Sequence, residues 1–288
     1  MKKTCTLCVL TLAMIAAEAG LINCQNAKKD PGMTITENSE DNSSGDRLSA
    51  LSMSIVFDNY RYDSGLDTSW GFACFIRGTE KTILFDTGGD GSILMSNMKK
   101  MGIRPSEVEL VVLSHYHGDH TDGLMSFLDE NPDVTVFAPQ SFPGTFKNEI
   151  TGRGARVVEV REPVQICENV LSTGEMGTSI IEQSLVIRTE KGSIVITGCA
   201  HPGIVGIVRK AKDLTGHPIC FVTGGFHLGG ASRGRLEEIV RSFNELGVAY
   251  TAPTHCSGDA ARAIFEEDYQ DHYLSVGVGR IVSLDEFK

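Results

Sequence analysis

Ser114-His115-Tyr116-His117-Gly118-Asp119-His120-Thr121 packs four strong metal ligands into six positions, in the order H-x-H-x-D-H. The segment follows Leu110-Val111-Val112-Leu113, an apolar run that reads as a buried strand. A loop placed directly after a buried strand is held by a rigid sheet, and such loops carry chemistry. Neutral imidazole is the commonest metal ligand. Three of the eight histidines of the chain fall in this one segment, beside an aspartate. A polar turn with incidental histidines would not concentrate them in this way.

Other segments repeat the placement. Ile83-Leu84-Phe85 reads as a strand ending at Asp86-Thr87-Gly88. Residues 192–197 read as a strand leading into Gly198-Cys199-Ala200-His201. Residues 248–252 read as a strand ending at Pro253-Thr254-His255-Cys256. These segments, in this order over about residues 51–288, resemble the metallo-β-lactamase superfamily. The wording G-C-A-H-P-G from Gly198, G-G-F-H-L from Gly224 and T-H-C-S-G from Thr254 is narrower. It is similar to a branch named after a dihydropterin-methyl-ribofuranosylaminobenzene-phosphate synthase.

The resemblance implies an α/β (α+β) fold, a four-layer αβ/βα sandwich of two facing sheets with helices on both outer faces. It implies that His115, His117 and His201 form one metal position and that Asp119, His120 and His255 form a second. Asp86 would hydrogen-bond the ligand loop and orient it. The implied cofactor is one or two divalent ions, zinc first, with iron and manganese as alternatives for such ligands. Asp119 and His227 are the candidates for handling protons. One departure stands out. The superfamily's carboxylate that bridges both metals is expected near residues 222–228, where this chain has Gly225 and no acidic residue within five positions on either side. The second metal is therefore expected to bind more weakly, with His227 as a substitute ligand or a substrate contact.

Composition narrows the function. The net charge is −11, which argues against non-specific nucleic-acid binding, since phosphates need Lys and Arg. A small-molecule substrate is expected instead. Hydrophobic residues make up 41% of 288, enough for one large core. Lys2, Lys3 and the apolar run from Cys5 to Ala17 read as an export signal, too short for a comfortable span. Cleavage is expected after Ala17-Glu18-Ala19 or at a lipoprotein-like box, Leu21-Ile22-Asn23-Cys24. The second is preferred, which gives a signal over residues 1–23 and a periplasmic or membrane-anchored protein attached through lipidated Cys24. Residues 24–50 are polar and lack aromatics, and read as a disordered tether. The five cysteines after Cys24 show no paired spacing. Most read as small buried hydrophobes, Cys199 and Cys256 included.

Helices are expected at 92–101, 124–128, 204–214, 236–246 and 260–265, with β-like runs through 156–187 and 273–282. The leading functional reading is a metal-dependent hydrolase in which water activated on the metal attacks an ester, lactone or phosphoester of a small molecule. Two alternatives stand beside it. One is a transferase acting on a pterin or ribosyl-phosphate aminobenzene substrate. The other is a non-catalytic, metal-stabilised binding module.

Overall fold

The computed structural model describes residue 48 and residues 50–288. The expected export signal, Cys24 and the tether as far as residue 47 lie outside the described residues. Among the described residues no helix is long and apolar enough to cross a membrane.

Thirteen strands are described: β1 (Ser52–Asp58), β2 (Phe72–Arg77), β3 (Ile83–Phe85), β4 (Leu110–Val112), β5 (Thr135–Pro139), β6 (Arg156–Val160), β7 (Val164–Cys167), β8 (Val170–Ser172), β9 (Leu185–Thr189), β10 (Gly192–Thr197), β11 (Ile219–Gly225), β12 (Tyr250–Thr254) and β13 (Ile281–Ser283). They form two sheets, ordered β13-β1-β2-β3-β4-β5-β6 and β12-β11-β10-β9-β8-β7. The helices are α1 (Gly91–Lys100), α2 (Gly118–Thr121), α3 (Leu124–Glu130), α4 (Gly144–Gly152), α5 (Ile204–Thr215), α6 (Arg233–Leu246) and α7 (Asp259–Tyr269).

The strands are apolar on both sides because both faces of each sheet are covered. In β2, Phe72, Cys74 and Ile76 join the central core between the sheets, while Ala73 and Phe75 face outward beneath helices. In β10, Ile194 and Ile196 join the same central core, and Val195 points the other way. The outer face of the first sheet packs against α1, α3 and α4 through Leu94, Met98, Phe127, Leu128 and Ile150. The outer face of the second packs against α5, α6 and α7. The result is four layers, helix on sheet on sheet on helix.

Helix α5 buries Ile204, Ile207, Val208 and Ala211, a single stripe at helical spacing. It ends at Gly216 with φ 66°, a left-handed conformation that costs glycine little. Helix α6 buries Leu236, Ile239, Val240 and Phe243. Its start is capped by Ser232, whose side chain accepts from the Arg235 N–H.

Strands β3 to β6 run parallel, as do β10 to β12. The loops that leave their carboxyl ends carry Asp86, the 114–121 segment, His201, His227 and His255. Ligand sites in parallel sheets lie at those ends. One local expectation needs correction, and one helix was not anticipated. Residues 273–282 are mostly irregular, with β13 limited to Ile281–Ser283 and isolated bridges at Tyr273 and Val278. Residues 144–152 form α4, whose only buried residue is Ile150, so its sequence carries little helical periodicity. The five cysteines after Cys24 are all free and buried.

Phe226, Phe243 and Phe265 pack as a triangle under α6 and α7, with ring centroids 5.3 to 5.7 Å apart. Removing the central ring should leave a cavity that close packing cannot fill. We expect Phe243→Ala to lower stability by about 3–5 kcal/mol, read from urea unfolding. A loss below about 1 kcal/mol would show that this helical layer is not packed as described.

Candidate metal centre

The ligand loop begins as β4 ends. Asp86, fully buried and at φ 56°, accepts from the Ser114 N–H at 2.7 Å and from the Ser114 hydroxyl at 2.7 Å. Its Oδ2 also lies 2.8 Å from His120 Nδ1. One carboxylate therefore fixes the start of the loop and turns the His120 ring so that Nε2 faces inward. The Ser114 hydroxyl in turn lies 2.9 Å from His115 Nδ1. His117 is extended and precedes α2, whose single turn carries Asp119 and His120. The Thr87 N–H and hydroxyl both donate to the His120 carbonyl at 2.9 Å. The D-T-G segment is thereby bound to the back of the ligand helix. A Cβ at Gly198 would come within 2.1 Å of Ser114 Oγ, so only glycine lets the His201 loop approach this closely.

The side chains converge. His115 Nε2 stands 3.0 Å from His117 Nδ1. The His201 ring centroid is 4.8 Å from that of His115 and 5.0 Å from that of His117. One nitrogen from each of the three lies within 4.8 Å of the others. Beside them, Asp119, His120, Cys199 and His255 form a second group on the same measure. The Asp119 Oδ2 atom is 3.3 Å from His255 Nε2 and 3.6 Å from His120 Nε2. A third group comprises Cys199, His227 and Cys256.

The donor atoms of His201 and His255 test whether a cation fits. Both Nε2 atoms are buried and make no hydrogen bond. Buried polar atoms are normally paired, and a cation is the partner that nitrogens pointing at other nitrogens and at a carboxylate can share. The residues fit a divalent ion.

Electrostatics point the same way. Burial, and then the neighbouring imidazoles of His120, His201 and His117, push His115 far below the ordinary histidine range. Burial and His227 bring His201 down to about 4. Both rings stay neutral, the form that ligates metal. Burial raises the Asp119 carboxyl, but His255 and His120 outweigh it and hold the group well below the usual carboxylate range. Burial alone would lower His120, and the adjacent Asp86 carboxylate overcomes it and raises the ring.

His227 sits apart from the six residues expected to ligate. Its ring is exposed and 4.3 Å from that of His201, and it groups with the two cysteines rather than with Asp119. Gly225 has a physical explanation. A Cβ there would meet Cys256 Sγ at 2.6 Å and the Gly198 carbonyl at 2.4 Å, so no carboxylate can be mounted at this position.

Two supporting residues are not apparent from the sequence. Glu182 is buried and accepts from the N–H groups of Cys199 at 3.0 Å, Ala200 at 2.8 Å and His201 at 2.8 Å. It clamps a turn in which Ala200 adopts φ 60°. Burial pushes its carboxyl up to about 7, although the Ala200 and His201 N–H groups pull it down. Asn59 lies 2.9 Å from His255 Nδ1 through its Oδ1, and its amide donates to the His255 carbonyl at 3.4 Å. Neither residue stands next to a ligand in sequence. Cys199 is the small buried residue its sequence suggests, and its sulfur also faces the donors, 3.2 Å from His120 Nε2.

The family model described as the metallo-beta-lactamase superfamily matches residues 71–255. The chain belongs to that superfamily. It is 30% identical over 250 residues to a 7,8-dihydropterin-6-methyl-4-(beta-D-ribofuranosyl)-aminobenzene-5'-phosphate synthase of Methanocaldococcus jannaschii, a match covering 71% of this chain and 85% of the relative. A solved metal-dependent hydrolase of the beta-lactamase superfamily superposes with a TM-score of 0.67 at 26% identity, covering 81% of this chain and 99% of the other. Human tRNase Z, short form, superposes with a TM-score of 0.56 at 12% identity, over 81% and 99% of the two chains, and shares the fold. Metallo-β-lactamase members generally bind divalent metals, and the convergent His, Asp and Cys groups could hold them here.

Asn59 supplies a further check on this centre. Partners of ligating histidines typically contribute 10–100-fold to metal affinity. We expect Asn59→Ala to weaken one metal equivalent by roughly that factor in a competitive chelator titration. Unchanged affinity at both positions would show that the Asn59–His255 contact does not orient a ligand.

Proposed function

We propose that this chain is a metal-dependent hydrolase acting on an ester, lactone or phosphoester of a small molecule. The observation that carries the reading is the pair of adjacent donor groups, one holding a buried His201 Nε2 with no hydrogen-bond partner and the other a buried His255 Nε2 that faces only the Asp119 carboxylate. A divalent cation held there supplies Lewis acidity and makes water a nucleophile near neutral pH.

The chain's own residues have distinct tasks in this reading. His115, His117 and His201 present ring nitrogens to one position, which would leave room for a fourth ligand. Asp119, ionised and with its side chain 21% exposed, stands where it can take a proton from an attacking water. His227 lies at the mouth and borders a cavity of about 450 Å³ that His201, Arg209 and Arg235 also line. It is placed to give a proton to a leaving group there. The two arginines would favour a substrate with negative charge.

A second reading is a transferase acting on a pterin or ribosyl-phosphate aminobenzene substrate. The name of the Methanocaldococcus jannaschii relative favours it. Export, with attachment through Cys24, remains our reading of residues 1–24.

A panel of chromogenic phosphoester, carboxyl-ester and lactam substrates, run with and without a pyrophosphate-bearing donor, separates the readings. Turnover that needs no donor supports hydrolysis. We expect His117→Ala to abolish metal-dependent turnover. Activity retained in that variant with metal loading unchanged would contradict the assignment.

A further inference from the structure

The carboxylate that cannot be mounted at Gly225 has a neighbour able to replace it. Strands β10 and β11 are parallel, with Thr197 opposite Gly224, and the Gly225 N–H donates to the Gly198 carbonyl at 3.0 Å. Cys199 is the next residue along β10's exit. Its Cα lies 3.2 Å from where a Cβ at position 225 would be. The two strand ends thus deliver side chains to one place. Cys256 Sγ fills the space at 225 itself, while Cys199 Sγ turns toward His120, 3.2 Å from its Nε2. Cys199 is 3% exposed, and Glu182 accepts a hydrogen bond from its backbone N–H, so the sulfur is presented by a fixed turn.

We propose that Cys199 Sγ is the anionic ligand of the second metal position, completing a set with Asp119, His120 and His255 in place of a carboxylate from position 225. The four donor atoms already lie within 4.8 Å of one another. A thiolate carries the same single negative charge as the missing carboxylate. On binding, the S–H bond is replaced by a sulfur–metal bond and the proton leaves to solvent.

Two consequences follow from donor count and softness. Four protein donors would fill the second position, whereas the three histidines of the first would leave a place for water, so the second would serve mainly as an anchor. A thiolate also favours zinc, iron or cobalt over manganese, magnesium or calcium.

The proposal rests on the reading that this centre holds cations, and the two fail differently. Metal-free protein is titrated with cobalt(II) while cobalt content and the near-ultraviolet sulfur-to-cobalt charge-transfer band are followed. We expect two equivalents and a band that grows with one of them. Cys256→Ser should keep the band. Cys199→Ser should lose it together with one equivalent, and Cys199→Asp should recover the equivalent without the band. Two bound cobalt ions with no band in the unaltered protein would overturn the proposal and leave the metal centre standing. A band that survives Cys199→Ser, or that vanishes only in Cys256→Ser, would move the sulfur ligand to the group formed by Cys256 and His227. No cobalt bound at all would overturn both readings. If Cys199→Ser fails to fold, the Cys256→Ser protein decides: a band kept there supports Cys199, and a band lost there overturns the proposal.

Discussion

Imidazole nitrogens crowded against one another at the seam of two sheets form the constraint on which the rest depends. His115 and His117 face each other at 3.0 Å, His201 buries a nitrogen with no hydrogen-bond partner, and His255 Nε2 meets only the Asp119 carboxylate at 3.3 Å. Protonation of His115 or His201 does not relieve this arrangement, because burial and the neighbouring imidazoles disfavour the charged rings. A shared cation relieves it. The surrounding structure reads as the means of holding these groups together until a cation arrives.

The means are visible in the backbone. Asp86, Ala200, His227 and His255 all adopt positive φ, between 49° and 60°. Non-glycine residues in that region cost about 1–3 kcal/mol each. Strain of this kind persists only where neighbouring bonds over-determine it. Asp86 is held by Ser114 and His120, Ala200 by Glu182, and His255 by Asn59. Buried Asp58, accepting from Thr254 Oγ1 at 2.6 Å, ties the end of β1 in one sheet to the end of β12 in the other. The seam is thus braced by carboxylates and amides that bear no metal themselves.

Much of this was legible in the sequence, for definite reasons. Strands buried on both faces produce unbroken apolar runs, so β4, β10 and β11 stand out, and a ligand placed just after such a run is conspicuous. His115, His117, Asp119, His120, His201 and His255 stand out in that way as candidate ligands, and the structure brings all six into the two adjoining groups. The supporting residues were not legible. Glu182 lies in an irregular stretch before β9 and acts on a loop 17 to 19 residues later. Asn59 reaches across 196 positions to His255. Nothing periodic marks either residue. Cys199 was visible, but the direction of its sulfur depends on the Glu182 clamp and on Cys256 filling the space at Gly225. The absent carboxylate was legible, whereas the steric reason for its absence was not.

The claim at the centre is that three distant segments of one chain, at 115–120, 199–201 and 255, converge on a metal centre. Anomalous diffraction at the absorption edge of the bound metal, from crystals of metal-loaded protein, tests it most directly. The account predicts a peak enclosed by the rings at positions 115, 117 and 201. Fully loaded protein whose anomalous peaks all lie elsewhere would contradict it.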